Sequence, residues 1–263
     1  MPPIGGTYNL KGECMIDIVK QDCEEWLKQN DIVHPEKRRY NLVYIDPPFN
    51  TGKTQHRAGE YSFTDDHPDY HQFMTNVFWY LERILTDTGS LFVHLDYREV
   101  HWAKLALDQI FGGGEHFINE IIWAYDYGGR AKSKWSCKHD TILFYAKNPK
   151  DYTFNFDEMD RIPYAAPSLA GPVKAEKGKT PTDVWWHTIV SPNSKAKTGY
   201  PTEKPRGIID RIIKVHSDKD DWVLDCFAGS GTVGESCMAF DRNCVLVDAN
   251  QQAIDVMNKR LVQ

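Results

Sequence analysis

The feature that most restricts the fold of this chain is a glycine-rich segment running from Asp225 to Gly234 as D-C-F-A-G-S-G-T-V-G. The apolar run Trp222-Val223-Leu224 precedes it as a predicted strand, and a predicted helix over 232–240 follows. Glycines at such a junction let the backbone turn tightly and bring a ligand close to a helix N-terminus. The segment therefore predicts an α/β fold with a ligand site at a strand end.

The ligand is left open by the glycines alone. Gly229, Gly231 and Gly234 satisfy G-x-G-x-x-G, and Asp248 ends the next strand where a ribose-binding acid belongs, so a dinucleotide-dependent oxidoreductase is a competing interpretation. However, Asp225 directly before the turn repels a pyrophosphate and attracts an ammonium or sulfonium. Only residues 249–263 follow Asp248, which is short for the rest of a dinucleotide fold. An acid, a glycine turn and a second acid suit S-adenosylmethionine better.

Hydrophobic periodicity predicts alternating strands and helices along most of the chain. Such an alternation, with continuous apolar strands, indicates a mostly parallel sheet covered on both faces. Residues 50–69 are polar and are predicted to be a long loop, and the proline- and lysine-rich stretch 148–200 interrupts the alternation as a loop-rich insertion. Helices are predicted at 15–27, 70–85, 98–110, 206–216, 232–240 and 250–261, and strands at 42–45, 90–95, 117–123, 140–146, 222–224 and 244–247.

Composition bounds the class of protein. A chain of 263 residues, 41% of them hydrophobic, can build one α/β domain with a full core. No apolar run is long enough to cross a bilayer and residues 1–6 do not resemble a signal peptide, so a cytoplasmic protein is expected. The six cysteines form no C-x-x-C pair and the histidines no ligand pattern, so no metal is expected.

A second motif, Asp46-Pro47-Pro48-Phe49, ends the apolar run Leu42–Ile45. In a parallel sheet it therefore lies on the ligand-binding edge. An exocyclic amine on a base is a poor nucleophile because its lone pair is delocalised into the ring. Asp46 can accept one of its N–H hydrogens and the rigidly held Pro47 carbonyl the other, and Phe49 can stack on a flipped base. An isolated Asp-Pro-Pro is usually a simple turn, but together with the glycine-rich segment in one chain this motif indicates methylation of an amine.

Together these segments resemble the amino-group DNA methyltransferases. The resemblance rests on Asp46 through Gly52, the strand 139–146 before Lys147-Asn148, Tyr200 through Pro205 and Asp225 through Val233. Because the catalytic motif comes first and the cofactor loop last, the chain is similar to the permuted β group. That order also explains the short tail after Asp248. Two residues depart from the family pattern. The family often has Gln at the position of Glu203 and frequently has Glu at the position of Asp248, but both residues here still offer hydrogen-bond acceptors.

The resemblance implies a three-layer, Rossmann-like methyltransferase fold with a mostly parallel seven-stranded sheet in circularly permuted order. It further implies a single domain over 1–263 in which 148–200 is the inserted target-recognition region. Asp46, Pro47, Pro48 and Phe49 would be catalytic. The cofactor would contact Asp225, Phe227, Ala228, Gly229, Ser230, Gly231, Thr232 and Asp248, with Thr202 and Lys204 bordering the same pocket.

The substrate implied is double-stranded DNA, methylated at N6 of adenine by base flipping and direct attack of the amine. N4 of cytosine is the alternative, although its family members usually begin the motif with Ser, and the absence of a Pro-Cys dipeptide argues against cytosine C5. The net charge is −6, but residues 128–150 carry six basic side chains against one acid. DNA contacts are expected from Arg130, Lys132, Lys134, Lys195 and Lys197. A homodimer and a cognate restriction endonuclease are left open as partners.

Overall fold

The computed structural model describes residues 5–10, 14–31, 39–57, 61–65, 67–190, 198, 200 and 203–262, with the backbone alone at 5–10, 53–57 and 61–65. Within these residues the strands are β1 (Gly5–Leu10), β2 (Cys14–Lys20), β3 (Tyr40–Ile45), β4 (Lys53–Arg57), β5 (Tyr61–Asp65), β6 (Leu85–Leu95), β7 (Phe117–Ala124), β8 (His139–Ala146), β9 (Val184–Trp186), β10 (Trp222–Asp225) and β11 (Asn243–Asp248). The helices are α1 (Cys23–Asn30), α2 (Tyr70–Ile84), α3 (Val100–Phe111), α4 (Pro167–Ala170), α5 (Pro172–Lys177), α6 (Arg206–His216), α7 (Thr232–Ala239) and α8 (Gln251–Leu261), with 3₁₀ turns at Gly114–His116 and Phe156–Glu158.

Nine strands form the main sheet in the order β1-β2-β11-β10-β3-β6-β8-β7-β9. Neighbours from β2 to β6 are parallel, as are β7 and β9, whereas β8 is antiparallel to both of its neighbours and β1 to β2. The mostly parallel α/β fold predicted from the sequence is therefore confirmed. The expected number of seven strands is wrong, because β1 and β9 each add a strand at an outer edge.

Two apolar layers cover the sheet and make the fold three-layered. Helices α1, α2 and α3 pack on one face around Val43, Val93 and Leu143, and α6, α7 and α8 pack on the other around Leu42, Phe92 and Leu246. Consecutive strand residues point to opposite faces and both faces are buried. This explains why the central strands have continuous apolar sequences.

The helix predicted at 15–27 is wrong in its first half. Residues 14–20 form β2, in which Cys14, Ile16 and Ile18 are buried at every second position, and only Cys23–Asn30 is helical. Asp22, two residues after the strand, caps the helix, because its side chain accepts the Glu25 N–H at 3.1 Å. The apparent helical spacing arose because one window of sequence spans a strand–helix junction.

The long loop predicted at 50–69 contains a hairpin. Strands β4 and β5 pair antiparallel, with His56 opposite Ser62. The segment lacks the hydrophobic alternation of a half-buried strand, which is why the pattern predicted a loop. The insertion 148–200 is rich in irregular segments, as expected, but its β9 pairs with β7 and extends the sheet. Among the described residues, no helix has the length and apolar character needed to span a bilayer.

Candidate active site

Two strand ends bring the two sequence motifs together. Strands β3 and β10 are parallel neighbours, with Val43 beside Leu224. Asp46 therefore follows β3 at the same edge of the sheet where Asp225 ends β10. The sheet thus places side by side two acids from opposite ends of the chain.

The glycine turn is shaped by backbone conformation and by the second acid. Gly229 and Gly231 adopt positive φ values of 49° and 76°, which disfavour any side chain. Asp248 Oδ2 accepts the Gly229 N–H at 2.8 Å, so β11 anchors the turn directly. A Cβ on Gly231 would lie 2.8 Å from Met257 Cγ. Gly231 therefore allows close packing of the turn on α8.

Two buried carboxyl groups face this turn with raised pKa values. Burial raises the pKa of Asp225 well above the ordinary carboxyl value, and the negative charges of Asp46 and Asp248 raise it further. The hydrogen bond from the Phe227 N–H and the charge of Lys204 lower this pKa, but by less. Burial also raises the pKa of Asp248, although the backbone amides of Asn250 and Gly229 donate to it. A bound cation stabilises the charged forms of such clustered acids.

Asp46 is held by a lysine from a distant segment. Its Oδ2 accepts a hydrogen bond from Lys204 Nζ, while Oδ1 is buried without a hydrogen-bond partner among the described residues. The Lys204 ammonium also lies 5.2 Å from the centre of the Phe49 ring. The space between the Asp46 carboxylate and the face of the Phe49 ring therefore accommodates a cationic nitrogen.

Both motifs line one cavity of about 470 Å³. Phe73 of α2 and Phe227 of the turn meet edge to face at 6.3 Å in its apolar part. Of the described residues predicted to be catalytic or to bind the cofactor, Gly231 alone is absent from the lining, because it packs on α8. Those present are Asp46, Pro47, Pro48, Phe49, Lys204, Asp225, Phe227, Ala228, Gly229, Ser230, Thr232 and Asp248.

A buried polar network behind Asp46 was not predicted from the sequence. His94, with no solvent exposure, lies 2.8 Å through Nδ1 from the Tyr44 hydroxyl and 3.2 Å through Nε2 from Asp140 Oδ2. Tyr125 donates to the other Asp140 oxygen at 3.1 Å. The His94 Nδ1 is 4.0 Å from Asp46 Oδ1. A histidine inside the apolar run 91–95 was the available signal.

Opposing effects act on Asp140 in this network. Burial alone would raise its pKa, but the hydrogen bond and charge of His94, the charge of Lys204 and the Tyr125 hydroxyl outweigh burial and lower it. Asp140 is thus held as a carboxylate beneath the site. The network connects β3, β6 and β8 to the residue that follows β7, and it lies directly behind the strand end that carries Asp46.

The segment around Tyr200 forms another wall. Tyr200 is buried, and its Cε1 lies 3.3 Å from where a Cβ on Gly229 would stand, so it covers the glycine turn. Glu203, next to Lys204, has a buried side chain that pairs with Arg260 at 3.1 Å and accepts the Thr198 hydroxyl at 2.8 Å. Glu203 therefore anchors the backbone that carries Lys204.

The predicted DNA-contacting residues lie apart from the cavity. Arg130, Lys132 and Lys134 are exposed in the connection between β7 and β8. Three further predicted residues, Thr202, Lys195 and Lys197, fall outside the described residues. Their predicted roles stay predictions.

Comparison with known sequences agrees with this geometry. Residues 40–259 match a family described as DNA methylase, with N6 and N4 methyltransferase in its name. The chain is 30% identical over 229 residues to the type II methyltransferase M.HpaI of Haemophilus parainfluenzae, covering 86% of this chain and 69% of that protein. It is 28% identical over 230 residues to the DNA adenine methyltransferase YhdJ of Escherichia coli K12, covering 84% and 76%.

Solved structures share the fold. The M1.HpyAVI–SAM complex superposes with a TM-score of 0.66 at 19% identity, covering 95% of this chain and all of that one. The cytosine-N4-specific PvuII DNA methyltransferase superposes with a TM-score of 0.68 at 16% identity, covering 94% and 86%. At such identities the similarity extends to the fold alone.

Proposed function

Because the chain belongs to the DNA methylase family, whose match spans most of its length, we propose that it transfers a methyl group from S-adenosylmethionine to N6 of adenine in duplex DNA. The relative YhdJ, named as an adenine methyltransferase, and the Asp that opens the Asp46–Phe49 motif favour adenine. N4 of cytosine is the alternative outcome of the experiment below.

The residues around the glycine turn fit the methyl donor. When bound, S-adenosylmethionine supplies an electrophilic methyl group on a sulfonium. Asp225 would pair with the ammonium of the amino-acid end, and Asp248, whose oxygens keep free lone pairs beside their backbone donors, would accept the ribose hydroxyls. Phe227 to Ser230 and Thr232 would border the ligand, with Tyr200 covering the turn. The raised pKa values of both acids support a cationic occupant.

One observation carries the proposal, namely the position of the Lys204 ammonium between Asp46 and the Phe49 ring. The target amine becomes positively charged as it attacks, and it needs the same surroundings. Asp46 would accept one amine hydrogen and the Pro47 carbonyl the other, with the base stacked on Phe49. Lys204 would leave Asp46 as the amine arrives, and the hydrogen lost by the methylated amine would pass to the Asp46 carboxylate.

Target recognition would come from elements outside the cavity. We propose that residues 1–263 act as one methyltransferase domain in which 148–200 recognises the DNA sequence. In support, β9 of this insertion lies parallel to β7 and ends at the edge of the sheet that carries the cavity. A second copy of the chain, a cognate restriction endonuclease and a cytoplasmic location stay predictions.

Nucleoside mass spectrometry tests this function. The protein is incubated with isotopically labelled S-adenosylmethionine and unmethylated genomic DNA, which is then digested to nucleosides. Label in N6-methyl-2′-deoxyadenosine is expected, and Asp46→Ala should remove it. Label in N4-methylcytosine would replace the proposed target with the alternative, and no labelled base would contradict the proposed activity.

A further inference from the structure

Exposed aromatic side chains follow the edge of the sheet that carries the cavity. Strands β3, β6, β7 and β9 run in the same direction, and β8 runs against them. All four parallel strands therefore end at this edge of the sheet. Aromatic residues just after β6, after β7 and at the end of β9 are exposed there. They are Tyr97, Tyr127, Trp135 and Trp186.

The loop between β7 and β8 presents the most exposed of these side chains. Every residue of 126–135 is exposed, and Trp135 is 96% exposed. The loop nevertheless has internal bonds. Ser136 Oγ accepts the Ala131 N–H at 2.7 Å and closes a turn, and Lys138 donates to the Tyr127 carbonyl. Trp135 is thus held at the tip by local hydrogen bonds instead of by apolar packing.

The base of this loop touches the network behind Asp46. The Tyr125 N–H donates to the Lys138 carbonyl at 2.9 Å, and the Tyr125 hydroxyl donates to Asp140, which contacts His94. A short series of hydrogen bonds therefore links the β7–β8 loop to the residues behind Asp46, where the flipped base is proposed to bind. The loop thus leaves the sheet at the same edge as the Asp46–Phe49 motif.

The charge of the tip selects its partner. Lys132 and Lys134 directly precede Trp135 in the loop and form no ion pair within the part of the chain that the structure describes. An almost fully exposed indole beside two unpaired lysines leaves a large apolar ring surface in water. It complements a polyanion with a stacking surface, since the ammonium groups contact phosphates and the ring enters a base stack.

Resting on the proposed function, we propose that Trp135 is the wedge that enters the DNA duplex and fills the space left by the flipped target base, while Lys132 and Lys134 hold the neighbouring phosphates. Flipping leaves a gap whose facing bases lose their stacking partner. An indole ring restores that stacking and slows the return of the target base. Trp135 is in this account a positioning residue that does not touch the reacting amine.

The methylation site is first located by sequencing methylated genomic DNA. The test then compares Trp135→Ala with wild type on two duplexes that carry this site. One duplex pairs the target base normally, and the other places an abasic site opposite it. On the paired duplex, the single-turnover rate of methylation by the variant should be at least about tenfold lower, since the indole no longer stacks on the bases that face the gap. On the abasic duplex the target is already unpaired and unstacks easily, and the difference should shrink to about twofold.

Trp79→Ala is the matched control, because Trp79 is an exposed tryptophan on α2 away from this edge. It should behave as wild type on both duplexes. Equal rates of Trp135→Ala and wild type on the paired duplex would overturn the wedge, as would an equal loss on both duplexes. Wild-type protein that methylates neither DNA would instead count against the proposed function itself.

Discussion

Asp46 and Lys204 form an ion pair between segments 158 positions apart in the sequence. Both side chains are mostly buried, with 17% and 12% exposure. The pair joins the end of β3 to the segment before α6 and thereby closes one side of the cavity.

The first prediction concerns the stability of this pair. Lys204→Met should destabilise the protein because it leaves a buried carboxylate without its cation, and Asp46→Asn should do so by the converse effect. The double variant should lose less than the sum of the two, with a coupling free energy of roughly 1–3 kcal/mol. Urea unfolding of the four proteins measures it. Additive losses would mean that the two charges do not interact in solution.

The second prediction separates catalysis from cofactor binding. Asp46→Ala should lower the rate of methyl transfer by about 10²–10³-fold, since its hydrogen bond matters most in the transition state. The affinity for S-adenosylhomocysteine should stay within a few-fold of wild type. Single-turnover kinetics and calorimetry give the two values. A wild-type rate in this variant would remove Asp46 from the mechanism.

The third prediction follows from the acids of the glycine turn. The pKa values of Asp225 and Asp248 are raised in the free protein, whereas a cationic ligand favours their charged forms. Binding of S-adenosylmethionine should therefore release protons, and affinity should rise with pH above the ordinary carboxyl range before it levels off. Calorimetry in two buffers of different ionisation enthalpy detects the release. Asp225→Asn should reduce it, and a pH-independent affinity in wild type would refute the assignment.

The fourth prediction concerns acid stability. His216 is buried among the rings of Phe92, Phe144 and Phe154 at 4.7, 4.6 and 5.2 Å. Burial lowers its pKa from 6.5 to about 3, against a weaker opposing hydrogen bond with the Thr153 backbone. The unfolded chain therefore binds the proton first, so stability is lost as pH falls from about 6.5 towards 3.

This histidine should contribute a loss of about 2 kcal/mol between pH 6.5 and pH 5. His216→Phe, which keeps a ring in the same place, should show a correspondingly flatter stability profile when both proteins are unfolded in urea at each pH. If the two profiles run parallel, the histidine does not carry the acid sensitivity.

The fifth prediction concerns the lysines of the β7–β8 loop. Replacing Lys132 and Lys134 together with Ala should weaken DNA binding on all sequences. It should also flatten the log–log dependence of affinity on salt by about 0.9 for each phosphate that the variant no longer neutralises. Lys219→Ala is the control, since Lys219 precedes β10 at the opposite edge of the sheet and pairs with Asp241. An unchanged slope in the double variant would mark these lysines as a solvated surface.

The sequence by itself determined the local features of this protein. The glycine turn from Asp225, the Asp46–Phe49 motif and the helices α6 and α8 were predictable because turn chemistry and hydrophobic periodicity act over a few residues. Where that signal was mixed or weak, as in β2 and in the hairpin of β4 and β5, the prediction was wrong.

Only the tertiary structure decided which of these features meet. The pairing of β3 with β10, the contact between Asp46 and Lys204 and the burial of His94 against Tyr44 and Asp140 join residues far apart in the chain. Local propensity carries no information about such partners. They are selected when helices cover both faces of the sheet and each buried polar group must find a hydrogen bond.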